Sequence, residues 1–310
     1  MIRRSGIQGI HVPGAPEKIV ASLFADDTTT FLNHLDSYDD LVAVLDNWCA
    51  ASGAQFNKSK TVLIPVGSPA YRAQVIATRK LNNEARALPP DVVVLPDGSS
   101  TRILGAWIGN GVDQEASWAP TLRKIDLALA RWQRCNPTMR GKRLVTQMIV
   151  AGMTQYLTKV QGMPTPIEQR LTKTIQRFVW NGAAVSPINV ATLQKPAAEG
   201  GIKLLDLPAR NDAIELTWLS SYLLLSTDRP QWAYLADALI AHNVVVADRA
   251  TLPPSRRNTF AQSWRASTHS TSRLPACLKR MLRLADKYHV TLSAVRLPES
   301  AQCQLPIWHH

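Results

Sequence analysis

Short apolar runs broken by turn residues dominate the first third of the chain, and helical periodicity dominates the remainder. From residue 7 to about 108 the pattern is α+β. "IQGIHV" (7–12) and "KIVASLF" (18–24) read as strands separated by the turn-rich "PGAPE", and "TTTFL" (28–32) follows at hairpin spacing. Residues 36–53 read as a helix with Leu41, Leu45 and Trp48 on one face. Asp36 or Ser37 caps it and Gly53 ends it. A strand is expected at 60–66 and a helix at 68–81. A second hairpin is expected over 91–109, with Pro96-Asp97-Gly98 at its turn.

From about 113 the period changes to that of helices. Leu122, Ile125, Leu129 and Trp132 share one face of a helix over 117–135, and Arg123, Lys124, Arg131 and Arg134 lie opposite. Residues 166–180 repeat this design, with Ile167, Leu171, Ile175 and Phe178 inward and Arg170, Lys173 and Arg177 on a separate stripe. Between them, 140–160 is apolar nearly all round (Leu144, Val145, Met148, Ile149, Met153, Tyr156, Leu157), which predicts a helix buried among others. Trp132 and Trp180 read as core residues. Beyond residue 180, "GIKLLDL" (201–207) reads as a short strand or extended segment, and helices are expected at 208–226, 230–242, 255–267 and 274–288. The implied organisation is 1–112, 113–180 and 181–310.

Charge narrows the choice of partner. Thirty-five Lys and Arg against 23 Asp and Glu leave a formal charge of +12, which favours a polyanion such as nucleic acid or an anionic membrane surface. The basic helical faces lack flanking exposed aromatics, so a membrane partner is not expected. Four cysteines lie far apart with no C-x-x-C, and no apolar run approaches the ~20 residues of a membrane span. A soluble intracellular protein with reduced thiols is the expectation.

The one candidate for chemistry is "FADD", residues 24–27. Adjacent strand residues point to opposite faces, but at a hairpin turn Asp26 and Asp27 can gather at one edge. Like charges so close favour a hard cation, and oxygen ligands suit Mg²⁺. Two solvated turn residues are the plain alternative.

The flanks carry a resemblance. Phe24-Ala25-Asp26-Asp27 between apolar strands, then a helix ending at Gly53, then Asn57, Lys60 and Thr61, then Leu104 and Gly105 of "ILGAWIG", come in an order similar to the palm of reverse transcriptases of non-LTR (LINE-type) retrotransposons. "FVWNG" (178–182) and "GGIKLLDL" (200–207) resemble landmarks after that family's polymerase core. The resemblance implies an RNA-directed DNA polymerase. Its fold is a palm of β-hairpins and packed helices, followed by a helical thumb and a helical C-terminal region. Asp26 and Asp27 would be metal ligands of a two-Mg²⁺ nucleotidyl-transfer site, and Lys60 would stabilise or protonate the leaving pyrophosphate. Leu104 and Gly105 would approach the primer. Arg123, Lys124, Arg131, Arg134, Arg170, Lys173 and Arg177 would grip an RNA template–DNA primer duplex, with deoxynucleoside triphosphates as substrates and the nucleus as the parent element's compartment.

The chain also departs from that pattern. The family's further metal-binding aspartate lies well before the Asp-Asp turn, and residues 1–25 contain no aspartate. Asp36, Asp39 and Asp40 fall at a helix start, where capping accounts for them. The expectation is therefore the C-terminal part of a palm plus a thumb, inactive alone. A non-catalytic nucleic-acid-binding protein is the second reading, and a basic helical interaction module the third.

Overall fold

The computed structural model describes residues 1–183, 186–243, 260, 266–291 and 299–303. Their architecture is α+β, with helices dominant and the strands confined to three two-stranded pairs. Strands β1 (Ala21–Phe24) and β2 (Asp27–Thr30) form an antiparallel hairpin in the register Ala21↔Thr30 to Phe24↔Asp27. Its β-branched Thr28, Thr29 and Thr30 favour the extended form. The expected strand at 7–12 is reduced to one antiparallel bridge, Ile10↔Ile19. Gly9 takes φ 62° just before it, and Pro13 and Gly14 turn the chain just after, so no ladder can extend.

Helix α1 (Tyr38–Ser52) starts at Ser37, whose hydroxyl accepts from the N–H groups of Asp39 and Asp40, and it stops at Gly53 with φ 73°. Of the two candidate caps, Ser37 serves. Asp36 is only 5% exposed, and its carboxylate instead accepts from the backbone N–H groups of Gln8 (2.6 Å), Asn33 (2.7 Å) and Gly9 (2.9 Å). That clasp fastens the N-terminal segment beside a small core of Ile7, Val20 and Leu41. Trp48, expected on the inward face, is largely exposed and packs on Phe56.

Helix α2 (Pro69–Thr78) is capped by Ser68 and opened by Pro69. The predicted strand at 60–66 is two residues long, β3 (Val62–Leu63), and pairs in parallel with β4 (Val93–Val94). The second hairpin also differs from expectation: it joins β5 (Thr101–Ile103) to β6 (Ala106–Ile108), and its turn is Leu104-Gly105. Pro96-Asp97-Gly98 makes the preceding bend, where Asp97 is held by the Arg72 guanidinium at 2.7 Å. Asp97 is thereby kept below its usual carboxylate range, chiefly by that hydrogen bond.

Helices α3 (Ala119–Gln133), α4 (Met139–Thr146), α5 (Gly152–Gln161) and α6 (Thr165–Val179) come next. A π-helical turn, Gln147–Ala151, runs between α4 and α5. Trp118, Leu122, Ile125, Leu129, Ile149, Val150, Leu157, Ile167, Leu171, Ile175 and Phe178 form the largest core cluster, which also takes in Leu193, Leu204 and Leu207. The 139–161 run is not enclosed as its composition predicts. Val145, Ile149, Val150 and Leu157 face that core, while Leu144, Met148, Met153 and Tyr156 face solvent. The reason is packing number: α3, α6 and the segment after α6 cover one side, β6 meets only α5, and nothing among the described elements covers the remaining face. Trp132 is likewise exposed, because it lies at the end of α3 beyond the packed stretch.

Helices α7 (Val190–Gln194), α8 (Leu207–Tyr222), α9 (Gln231–His242) and α10 (Ala276–Lys287) follow, and a single helical turn, Glu299–Gln302, comes last among the described residues. A second cluster of Leu219, Tyr222, Ile240, Leu278, Met281 and Leu282 holds α8, α9 and α10 together. Helix α8 ends at Tyr222, four residues before the expected boundary. The helix expected over 255–267 lies almost wholly outside the described residues. Residues 201–206 form no strand: Lys203 takes φ 53° in the middle of the segment, which breaks the extended run expected there, and the N–H groups of Ile202 and Leu204 both donate to the Leu193 carbonyl. No described helix is long and apolar enough to cross a membrane.

Candidate functional site

The β1–β2 register closes on a two-residue turn, Ala25-Asp26, with Ala25 at φ 51°. Asp26 sits in the turn itself and Asp27 opens β2 opposite Phe24, so the two carboxylates leave the backbone at the hairpin's tip. Both are exposed, as are Leu23 and Phe24 on β1. Two exposed carboxylates at one tip are a chemically suitable oxygen donor pair for a hard cation. Among the described residues no group of three or more His, Cys, Asp or Glu is gathered for a metal, so Asp26 and Asp27 stand as a pair.

Lys60 closes a short 3₁₀ turn (Lys58–Lys60), and its backbone N–H donates to the Asn57 carbonyl at 3.1 Å. Its side chain is exposed, and no described hydrogen bond or ion pair joins it to either aspartate. Asn57 acts as a turn residue, its side-chain oxygen accepting from the Ser59 hydroxyl at 2.7 Å.

At the β5–β6 turn Leu104 and Gly105 both take positive φ, 47° and 86°, the signs of a type I′ turn. Helix α5 fixes this turn from below. The Tyr156 hydroxyl donates to the Leu104 carbonyl, and a Cβ on Gly105 would lie 3.0 Å from the Tyr156 ring. The side-chain amide of Gln161 pairs with the backbone of Trp107 in both directions, accepting from its N–H at 3.0 Å and donating to its carbonyl at 3.1 Å. Sequence reasoning treats Tyr156 as core and passes over Gln161, and neither carries a local signal of its role.

The basic stripes fall where the periodicity places them. Arg123, Lys124, Arg131 and Arg134 are exposed on and just after α3, and Arg170, Lys173 and Arg177 are exposed on α6. The α6 stripe lines an open cleft of about 610 Å³ together with Pro166, Gln169 and Thr174, and Asp126 of α3 supplies the opposing wall. Arg170 meets Asp126 at 3.1 Å, and the other six cations make no ion pair among the described residues. The cleft's cations come from α6, and α3 lines it with Asp126 while carrying its own exposed cations outside the lining; Lys173 and Arg177 are the unpaired charges that can hold a polyanion there.

The two landmark motifs prove to be joints. Helix α6 ends in a Schellman arrangement: Asn181 takes φ 52°, Gly182 donates to the Arg177 carbonyl at 2.7 Å, and Asn181 donates to that of Phe178 at 3.4 Å. Lys142 of α4, 5% exposed, reaches this end and donates to the Val179 carbonyl (2.8 Å) and the Asn181 side-chain oxygen (2.5 Å). Its cation complements the helix C-terminus, while burial pushes its ammonium below the ordinary 10.5. In "GGIKLLDL", a Cβ on Gly201 would lie 2.0 Å from the Lys195 carbonyl oxygen, Leu204 and Leu207 enter the core, and Asp206 caps α8 through the N–H of Ala209.

No protein-family model matches the chain, and no curated protein matches it.

Proposed function

We propose that this chain is a palm-and-thumb portion of an RNA-directed DNA polymerase of the LINE type, and that by itself it grips template–primer duplex without extending it. The observation that carries the reading is the cleft between α3 and α6, with Arg170, Lys173 and Arg177 on one wall and further exposed cations on α3. Phosphates neutralised there give sequence-independent affinity, as a duplex-holding surface requires. The order of "FADD", "NKSKT", "ILG" and "FVWNG" supports the polymerase assignment.

In the parent reaction Mg²⁺ ions would clamp the attacking and leaving oxygens of nucleotidyl transfer. Asp26 and Asp27 would supply two carboxylates to that site from the hairpin tip, and Lys60 would offer positive charge and a proton to the pyrophosphate. The β5–β6 turn would set Leu104 and Gly105 against the primer strand. Two carboxylates are too few to fix a pair of ions, so the 310-residue polypeptide is proposed to bind and not to polymerise.

The test is fluorescence anisotropy of an RNA–DNA duplex over a salt series. Binding should weaken with salt, and the Arg170→Ala/Lys173→Ala/Arg177→Ala variant should lower the log–log slope by about 2.7, at ~0.9 per phosphate contact. An unchanged slope would refute the cleft as the nucleic-acid face. In parallel, primer extension on an RNA template with Mg²⁺ should give no product; robust extension lost in Asp26→Asn would overturn the non-catalytic part.

A further inference from the structure

The outer face of α4 and α5 is an exposed apolar stripe. Leu144, Met148, Met153, Tyr156 and Val160 are 52, 56, 41, 51 and 38% exposed. Their steps of four, five, three and four residues share one face because the π-helical turn Gln147–Ala151 absorbs the step of five. At ~1.5 Å per residue the stripe is about 24 Å long, the span of four to five helical turns. Single exposed apolar residues are ordinary, but five in line are a candidate binding surface.

The borders of the stripe select its occupant. On one side stand Arg140 and Lys159, both exposed and within about a quarter-turn of the stripe on a helical wheel. No Asp or Glu occurs between Asp126 and Glu168. On the other side is the β5–β6 turn, tied down by the Tyr156–Leu104 bond, with Leu104 itself half exposed. A second copy pairing through the same stripe would set Arg140 and Lys159 against a helix pair that carries no Asp or Glu of its own, so such self-pairing is disfavoured. Nucleic acid draws affinity from phosphate contacts, and the stripe offers five apolar side chains with a cation only at its margin.

We infer that this face docks an amphipathic helix of a partner protein, with an apolar stripe of its own and acidic residues along one flank. Apolar side chains at helical spacing seat between Leu144, Met148, Met153 and Val160, and the flanking acids meet Arg140 and Lys159. The two methionines let the surface adapt to such a ridge. This inference is independent of the α3–α6 cleft.

The experiment uses the full chain and a fluorescein-labelled 21-residue helical peptide with leucines at i, i+4, i+7 and i+11 and glutamates on one flank. A control peptide carries lysines in place of the glutamates. Saturable binding of the glutamate peptide is expected, at least about tenfold tighter than that of the lysine peptide. Met148→Glu and Met153→Glu should each weaken it about tenfold with an unchanged circular-dichroism melt, and Lys159→Glu should shrink the preference between peptides. The Arg170→Ala/Lys173→Ala/Arg177→Ala variant should bind the peptide as well as the unaltered chain, even if duplex binding is lost. The inference is overturned by absence of saturation, by equal affinity for both peptides, or by self-association that Met148→Glu abolishes. Loss of duplex or phosphatidylserine-vesicle binding in Met148→Glu, with peptide binding unaltered, overturns it equally.

Discussion

Replacing Asp36 by alanine removes one acceptor group from three backbone N–H donors at once. The Gly9 N–H is buried and the Gln8 and Asn33 N–H groups are partly so. An orphaned buried donor costs about 1–3 kcal/mol, and a partly exposed one recovers much of that from water. Taking ~2 kcal/mol for Gly9 and ~0.5 kcal/mol for each of the others gives about 3 kcal/mol of local destabilisation. The loss should be regional, because the clasp joins residues 7–9 to the 33–36 loop and lies outside the two larger clusters. Amide hydrogen exchange is therefore the assay, and the Gly9 amide should lose about two orders of magnitude of protection, at ~1.4 kcal/mol per tenfold. Asp36→Asn keeps one acceptor oxygen but turns an NH₂ group toward a donor, so it should lose about tenfold. A change under threefold at Gly9 in Asp36→Ala would refute the clasp. The same variant tests the hairpin, because the Ile10↔Ile19 bridge follows directly from the clasped residues and leads into β1.

Three further outcomes are expected. A Cβ on Gly162 would lie 2.1 Å from the Arg280 guanidinium, which donates to Glu215 at 2.8 Å, and Gly162 itself has φ 74°. Gly162→Ala should therefore cost about 2 kcal/mol in urea unfolding, and the Gly162→Ala/Arg280→Ala pair should be markedly non-additive; strict additivity would sink the steric account. Asn181→Gly preserves the left-handed backbone but deletes the oxygen that Lys142 and Gln133 share, so it should destabilise by about 1–2 kcal/mol, whereas a gain in stability would show that backbone geometry alone matters. Burial, reinforced by Asp237, raises the Tyr222 phenol well above its ordinary 10.0. The unfolded phenol ionises near 10.0 and the folded one resists, so this contribution is constant below that pH and falls above it. Tryptophan-monitored unfolding at pH 9 and 11 should show a smaller loss in Tyr222→Phe than in the unaltered chain, and equal losses would contradict the assignment.

The elements most legible in the sequence were those whose reasons are local. Ser37 and Gly53 bound α1 by cap chemistry, and Leu122, Ile125 and Leu129 enter the core as their spacing requires. The exposed cation stripes come from the same wheel. Failures arose where a partner distant in sequence decides. Asp36 sits at a helix start, as a cap would, yet it is claimed by Gln8 and Gly9. The apolar run at 139–161 reads as enclosed because periodicity counts side chains, not the neighbours available to cover them. Tyr156 and Gln161 hold the β5–β6 turn over separations of about 50 residues, which no local pattern announces. Asp26 and Asp27 are placed as expected at the tip, because "FADD" carries its own turn. Lys60 shows the opposite case, since order along the chain does not by itself bring a side chain to its supposed partners.

Gln161 has a further consequence, for solubility. A two-stranded hairpin leaves each outer strand with unpaired backbone groups, a template on which another chain can add. By occupying both polar groups of Trp107, the Gln161 amide makes the outer edge of β6 unavailable at its middle residue. The backbone carbonyl of the same residue accepts from Arg280, 119 positions away. The device that blunts this edge is thus anchored to the α8–α10 body, and disturbing that remote body would uncover a strand able to recruit its neighbours into aggregates.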